Sequence, residues 1–237
     1  MDEQQTKAIL AKAKLFFRTR IVERHQANTK KLAKLKNFTV NPFLDKYLAN
    51  FAFGNNSPEN IAKALIYPRI LGTSISTIFG TQLQFFCNDV LSGYASTTSG
   101  IDIEFIDAID NRRKYCQIKA GPNTINYDDV TTIKNHFTAI KHLARTNRST
   151  DINPSIDCLV GVFYGNFAEL SVHYKKINEE YSVLVGKDFW HHLTGSESFY
   201  DELINVFAEV AVEMDSRILI EQAITDLAGE ISKRQNA

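Results

Sequence analysis

Between Gly100 and Lys119 two short alternating runs flank a polar turn, and this stretch constrains the fold more than any other part of the chain. Gly100–Ala108 (GIDIEFIDA) and Lys114–Lys119 (KYCQIK) interleave apolar and polar residues, with Asp110-Asn111 between them as turn chemistry. Alternation on both sides of such a turn reads as a β-hairpin. If the turn centres on Asp110-Asn111, paired residue numbers sum to about 221, which sets Asp102 opposite Lys119 and Glu104 opposite Gln117. The two-residue period of a strand then puts Asp102, Glu104, Gln117 and Lys119 on one face, and Ile103, Phe105, Cys116 and Ile118 on the other. Gly121-Pro122-Asn123 breaks the second strand.

Helical patterns surround the hairpin. Leu10, Ala13, Phe17 and Ile21 recur at helical spacing in residues 4–24, and Asn41-Pro42 opens an aromatic-rich helix reaching about Phe51. Ser57-Pro58-Glu59 combines a capping residue, a proline at the first helical position and an acid in the first turn. Ser74–Leu91 reads as a buried helix, and residues 128–148 as a helix with Ile133, Phe137, Ile140 and Ala144 inward. Ile156–Tyr164 (IDCLVGVFY) reads as a buried strand, Leu170–Tyr174 and Tyr181–Val185 as weaker strands, and Tyr200–Lys233 as helical again. The sum is an α/β fold in which helices flank a mixed sheet. Three segments are expected: a helical N-terminal arm over 1–71, a core over 72–200, and a helical C-terminal segment over 201–237 packed on the core.

The composition excludes several classes. With 44% hydrophobic residues and only 11 glycines and 5 prolines in 237 residues, the chain is neither disordered nor fibrous. No apolar run approaches the ~18 residues of a membrane helix, and MDEQQTKAILAKAK has no secretory apolar region. Cys87, Cys116 and Cys158 lie far apart within apolar runs and read as buried free thiols. A soluble, cytoplasmic protein is expected. Lys+Arg and Asp+Glu number 27 each, yet residues 1–36 hold ten bases (Lys7, Lys12, Lys14, Arg18, Arg20, Arg24, Lys30, Lys31, Lys34, Lys36) against three acids. Between Asp201 and Glu230 stand eight acids and the single base Arg217. Such asymmetry suits a polyanionic partner for the arm. It equally suits a solvated helix face, or an arm that docks on the acidic end of a second subunit.

The polar hairpin face gathers two acids, an amide and an ammonium beside a glycine-broken strand end. Mg²⁺ takes hard oxygen ligands, commonly one or two carboxylates with water and substrate phosphate, so the set suits metal-assisted phosphodiester hydrolysis. The plainer alternative is an exposed sheet face on which Asp102 and Lys119 form a cross-strand ion pair.

Asp102, a spacer, then Gln117-Ile118-Lys119 resembles the D…(D/E)-x-K signature of the PD-(D/E)XK nuclease superfamily, with Gly100-Ile101-Asp102-Ile103 before the acid and a helix after the lysine. Lys119–Asn126 (KAGPNTIN) and Gly186–Trp190 (GKDFW) with Leu193-Thr194-Gly195 are similar to stretches of type II restriction endonucleases, including members that cut GGNCC-type sites. The resemblance spans roughly residues 72–200 and implies a restriction-endonuclease-like core. It implies Mg²⁺-dependent, sequence-specific hydrolysis of double-stranded DNA to 5′-phosphate ends by a homodimer, with no nucleotide cofactor. Asp102, Gln117 and the Ile118 carbonyl would hold the metal, Glu104 being a further candidate, and Lys119 would position the attacking water. Gln117 departs from the usual Glu or Asp, as in the Q-x-K variant of Mrr-like endonucleases. Members often add an acidic or amide residue from the preceding helix, where Gln82 and Gln84 stand. Two other readings share these motifs: a repair or modification-dependent nuclease, and an inactive DNA-binding relative.

Contacts to phosphate need bases, small polar side chains and backbone N–H groups. Asn123, Thr124 and Asn126 follow the lysine directly, and Lys134, Lys141, Arg145 and Arg148 share one arc of the next helix. Turn formation and a solvated helix face are the ordinary alternatives. Adjacent His191-His192 point about 100° apart on a helix and rarely share one ion, so they read as surface beside a packing Phe189-Trp190.

Overall fold

The computed structural model describes residues 3–91, 94–146 and 152–235. Five helices come first: α1 (Glu3–Phe16), α2 (Glu23–Lys31), α3 (Asp45–Phe53), α4 (Pro58–Pro68) and α5 (Ser74–Asp89), with π-helical turns at Phe17–Val22 and Arg69–Thr73. The hairpin β1 (Ile103–Ile106) and β2 (Arg113–Lys119) follows, then α6 (Tyr127–Thr146), α7 (Pro154–Asp157) and β3 (Cys158–Val162). The chain continues through α8 (Val172–Asn178), β4 (Ser182–Val185), α9 (Lys187–Thr194), α10 (Phe199–Glu213) and α11 (Arg217–Gln235). It is the expected α/β architecture, helical at both ends.

The four strands lie in sequence order, β1 antiparallel to β2 and the other pairs parallel. Parallel neighbours must be joined by a crossover. Residues 127–157 supply the first through α6 and α7, and α8 supplies the second. The strand expected at Leu170–Tyr174 is therefore absent: Val172 opens α8, whose Tyr174 and Ile177 point into the core. The helical segment expected over Tyr200–Lys233 is formed as two helices, divided at Met214–Ser216, where Asp215 Oδ1 accepts the Arg217 N–H at 3.0 Å.

The hairpin register is offset by two residues from the expectation. Glu104 lies opposite Tyr115 rather than Gln117, and the same offset sets Asp102 beside Gln117 rather than Lys119. The turn centres one residue earlier than Asp110-Asn111, because Asp107 organises it. The Asp107 N–H donates to the Arg112 carbonyl at 2.9 Å, its Oδ1 accepts the Ile109 N–H at 2.9 Å, and Asn111 takes φ +56°. An even offset keeps each side chain on its face, so the expected division into polar and apolar faces stands.

By internal packing the chain divides into two compact units, Met1–Phe16 with Leu83–Ala208, and Phe17–Gln82 with Glu209–Ala237. In the first, Val130, Ile133, Phe137 and Ile140 of α6 pack with Tyr174 and Ile177 of α8 on the sheet face that carries Val160, Val162 and Val183. The opposite face is aromatic: the Phe86, Phe163 and Trp190 rings meet edge to face with centroids 5.0–6.3 Å apart, and Trp190 donates to the Phe163 carbonyl at 3.0 Å. Phe189 and Trp190 are packing residues, as expected. All three cysteines are buried free thiols, and burial pushes Cys87 and Cys158 up to about 12.

In the second unit Ile61 and Ile66 of α4, with Ile70, pack on Ala223, Ile224, Leu227 and Ile231 of α11. Glu230 accepts the Leu35 N–H at 2.6 Å and pairs with Lys34 at 3.4 Å, while Gln26 donates to Ser216 at 3.0 Å. The end of the basic segment thus meets the acidic C-terminal segment of its own chain. Residues after 208 accordingly group with α2, α3 and α4. Among the described residues no helix is long and apolar enough to cross a membrane.

Candidate active site

The site forms where β1 and β2 separate. Asp102 immediately precedes β1, and its backbone N–H donates to the Cys116 carbonyl at 3.0 Å. Its half-buried carboxylate accepts the Ile118 N–H through Oδ2 at 2.7 Å. The N–H and C=O of one strand residue point to the same flank. The Ile118 carbonyl is therefore also on the Asp102 side, beyond the last β1 pair, Ile103 with Cys116. Burial raises the Asp102 carboxyl above its ordinary range, against the Ile118 N–H and the positive charge of Lys119, which pull it down. Lys119, half-buried, ends β2 on the same face, its carbonyl held by the Phe163 N–H at 2.8 Å.

Gln117 is 5% exposed. Its Nε2 donates to the Gly100 carbonyl and lies 2.5 Å from His136 Nδ1. A primary amide has two N–H donors; the Gly100 carbonyl takes one, and the other faces His136 Nδ1, whose role follows its tautomer. Sequence reasoning passed over His136, although its phase on α6, at the margin of the Ile133–Phe137–Ile140 stripe, was the available signal.

Three of the expected residues therefore converge at one strand end: Asp102, Gln117 and Lys119, with the Ile118 backbone. Glu104 shares the face but is engaged by Ser96 at 2.6 Å, Thr98 at 3.2 Å and Arg113 at 3.2 Å. Gln82, on α5, is buried, and its Oε1 has no hydrogen-bond partner; the side chain of Gln84 lies outside the described residues.

The loop after Lys119 is braced by its own polar groups. Tyr174 OH donates to the Gly121 carbonyl at 3.0 Å, and Thr124 Oγ1 donates to the same oxygen at 2.8 Å. A Cβ at Gly121 would fall within 2.9 Å of three Tyr164 side-chain atoms, so only glycine lets that ring lie there. Asn123 and Thr124 line an open cleft with Tyr164, Asn166, Glu169 and Tyr200. Asn126 caps α6, its Oδ1 accepting the N–H groups of Asp128 at 2.8 Å and Asp129 at 3.0 Å.

Lys134 pairs with Glu180 at 2.5 Å, and Lys141 and Arg145 are exposed. Two residues of α-helix turn by about 200°, so this row leaves α6 on the flank away from His136. Arg148 and the turn Asn147–Thr150 lie outside the described residues. His192 is not a free surface residue: its Nδ1 sits 2.8 and 2.9 Å from the buried Asp107 carboxylate, which also faces Lys114 at 3.7 Å. That buried acid had to find cationic or donor partners, and α9 supplies one.

The family model of the type II restriction endonuclease EcoO109I matches residues 3–215. The chain belongs to this family. No curated protein matches it. Membership in the EcoO109I family makes the chain a restriction-endonuclease-like nuclease and double-stranded DNA its substrate.

Type II restriction endonucleases imply a divalent metal, and the residues present fit one. Asp102 offers a carboxylate whose desolvation a cation would relieve, and the Gln117 amide, its Nε2 turned to the Gly100 carbonyl and His136, is left with Oε1 as its ligating end. The Ile118 carbonyl is a third hard oxygen on the same flank. Among the described residues no three His, Cys, Asp or Glu side chains gather as a metal cluster.

Proposed function

We propose that the chain is a Mg²⁺-dependent type II restriction endonuclease that cuts both strands of a specific duplex site as a homodimer. The convergence of Asp102, Gln117 and Lys119 where β1 and β2 separate carries this reading, with family membership behind it. Asp102, Gln117 Oε1 and the Ile118 carbonyl would hold the metal. When bound, the cation supplies Lewis-acid stabilisation of the phosphate and lowers the pKa of water. The Lys119 ammonium orients the attacking water and donates to a non-bridging phosphate oxygen. Attack of the water on phosphorus in line with the 3′ oxygen forms one P–O bond and breaks the P–O3′ bond, whose electron pair goes to O3′; the water gives up a proton to solvent and O3′ takes one from solvent. The products are a 5′-phosphate and a 3′-hydroxyl. Asn123 and Thr124, on the cleft beside the site, contact the DNA, and Lys141 and Arg145 serve its backbone farther out.

Two-fold protein symmetry matches a palindromic site. Phe43, Tyr47, Leu48 and Phe51 stand exposed on and beside α3, Phe43 at 86% and Phe51 at 77%, and supply an apolar face for the second copy.

The test is digestion of bacteriophage lambda DNA with Mg²⁺ or EDTA, beside Lys119→Ala. Discrete Mg²⁺-dependent fragments that vanish in the variant are expected. A smear would move the assignment to a non-specific or repair nuclease. Intact DNA with Mg²⁺ and Mn²⁺, on methylated and unmodified substrates, would leave an inactive DNA-binding relative.

A further inference from the structure

A Gln at the second motif position brings no charge, so its value as a ligand depends on which end of the amide faces the metal. Oxygen and nitrogen differ little in size, and nothing about the glutamine itself sets the choice. Its neighbours do. The Gly100 carbonyl can only accept, and it receives the Gln117 Nε2–H; His136 Nδ1 lies 2.5 Å from the same nitrogen and accepts the second proton when the ring carries its own proton on Nε2. With His136 in that tautomer, turning the amide over would set Oε1 against two acceptors and leave a buried dipole unpaired, a costly arrangement.

His136 is itself held. α6 is anchored on the sheet by Ile133, Phe137 and Ile140, and the imidazole lies against Gly100. Gly100 has φ +79°, and a Cβ there would fall within 2.6 Å of three His136 ring atoms. The left-handed glycine and the histidine thus make one cradle for the amide.

We propose that His136 is a positioning residue that holds the Gln117 amide with its oxygen turned to the metal. The inference rests on the reading of Asp102 and Gln117 as metal ligands. Residues that orient a ligand from behind typically change metal affinity by about 10–100-fold when removed. His136→Phe keeps the ring and loses the acceptor, whereas His136→Asn places an acceptor close to the Nδ1 position.

The experiment is an Mn²⁺ titration of the DNA-free full chain, followed by the EPR signal of free Mn²⁺, with thermal melting of every variant. His136→Phe is expected to weaken Mn²⁺ binding about 10–100-fold and to melt cooperatively at a somewhat lower temperature, since one buried amide N–H loses its acceptor, and His136→Asn to bind within about threefold of the original. Equal affinity in the original chain and His136→Phe, with binding lost in Asp102→Ala, would overturn this inference and leave the metal reading intact. Binding unaffected by Asp102→Ala would overturn the metal reading and the inference with it. A test independent of variant folding is the ¹⁵N-resolved imidazole spectrum of the unaltered protein. The Nε2–H tautomer of His136 is expected, and an Nδ1–H tautomer would overturn the proposal.

Discussion

The backbone N–H of Ile118 donates to Asp102 Oδ2 at 2.7 Å, so the peptide that separates Gln117 from Lys119 also fixes the Asp102 carboxylate beside them. The three-residue spacing has a mechanical sense in this hairpin. Alternation sends the side chains of 117 and 119 to the polar face, and the residue between presents its backbone to Asp102.

Asp102→Asn separates binding from folding. An asparagine oxygen can still accept the Ile118 N–H, so the strand ends stay joined, but the charge that attracts a cation is gone. Cleavage should fall by at least about 10²–10³-fold, the scale of losing one preorganised electrostatic group. Stability should move the other way. Burial raises the carboxyl in the fold above its unfolded value, so the folded chain favours the protonated acid. That advantage is complete below the unfolded pKa and is lost as pH rises through the folded one. Metal-free Asp102→Asn should therefore melt higher than the unaltered chain at neutral pH, the two curves converging near about pH 4. A variant that melts lower at pH 7 would contradict this account.

Gln117→Glu restores the commoner acid of the motif, yet in this site it should harm. A carboxylate has no proton for the Gly100 carbonyl or for His136 Nδ1, and it is enclosed beside both. The expected cost is about 1–3 kcal/mol in the metal-free state, measured by denaturant unfolding, with slower cleavage at every Mg²⁺ concentration. Faster cleavage at low Mg²⁺ would show that added charge outweighs the lost orientation.

These two residues illustrate what the sequence disclosed. Alternation is a property of local residue order, so the polar face of the hairpin was legible from GIDIEFIDA and KYCQIK alone. The register was not, because it depends on whether Asp107 or Asp110 closes the turn, and both are good turn residues. Asp107 prevails through its buried contacts with His192 and Lys114, which lie 85 and 7 residues away and leave no local mark. Likewise the hydrophobic stripe of α6 was visible, but the meeting of His136 with Gly100 requires the β2–α6–β3 crossover to be built first. Leu170–Tyr174 has β-branched and aromatic character at strand spacing, and the need to link two parallel strands made its second half a helix instead.

Two glycines should respond oppositely to alanine. Gly161 sits in β3, where a Cβ would fall within 3.0 Å of three atoms of the fully buried Phe189 ring. Overpacking of that kind costs about 1–3 kcal/mol, so Gly161→Ala should lower the unfolding free energy by that amount. Gly229 lies in α11 with nothing within 4 Å of its would-be Cβ, and there alanine should stabilise by about 0.5–1 kcal/mol. Denaturant midpoints of the two variants check both signs. A neutral Gly161→Ala would mean that the aromatic face yields more readily than its edge-to-face rings suggest.

The apolar face beside α3 gives the homodimer a concrete test. Ala49 and the α4 isoleucines account for the inward side of this helix, while Phe43, Tyr47, Leu48 and Phe51 remain in water, Tyr47 and Phe51 stacked at 5.9 Å. A cluster of large side chains left exposed costs solvation free energy, roughly 1.5–3 kcal/mol for each fully exposed one relative to burial, and a second copy would recover it. The double variant Phe43→Ser/Phe51→Asp should be monomeric in light scattering at concentrations where the unaltered chain is dimeric. Its melting temperature should fall to that of the folded monomer and lose its dependence on protein concentration, while unfolding stays cooperative because neither side chain is buried in the monomer. Double-strand cleavage should fall far more than single-strand nicking, since each copy carries its own Asp102, Gln117 and Lys119 and only the pair can address both strands of one site. A variant that stays dimeric and cuts normally would place the two-fold axis on another face.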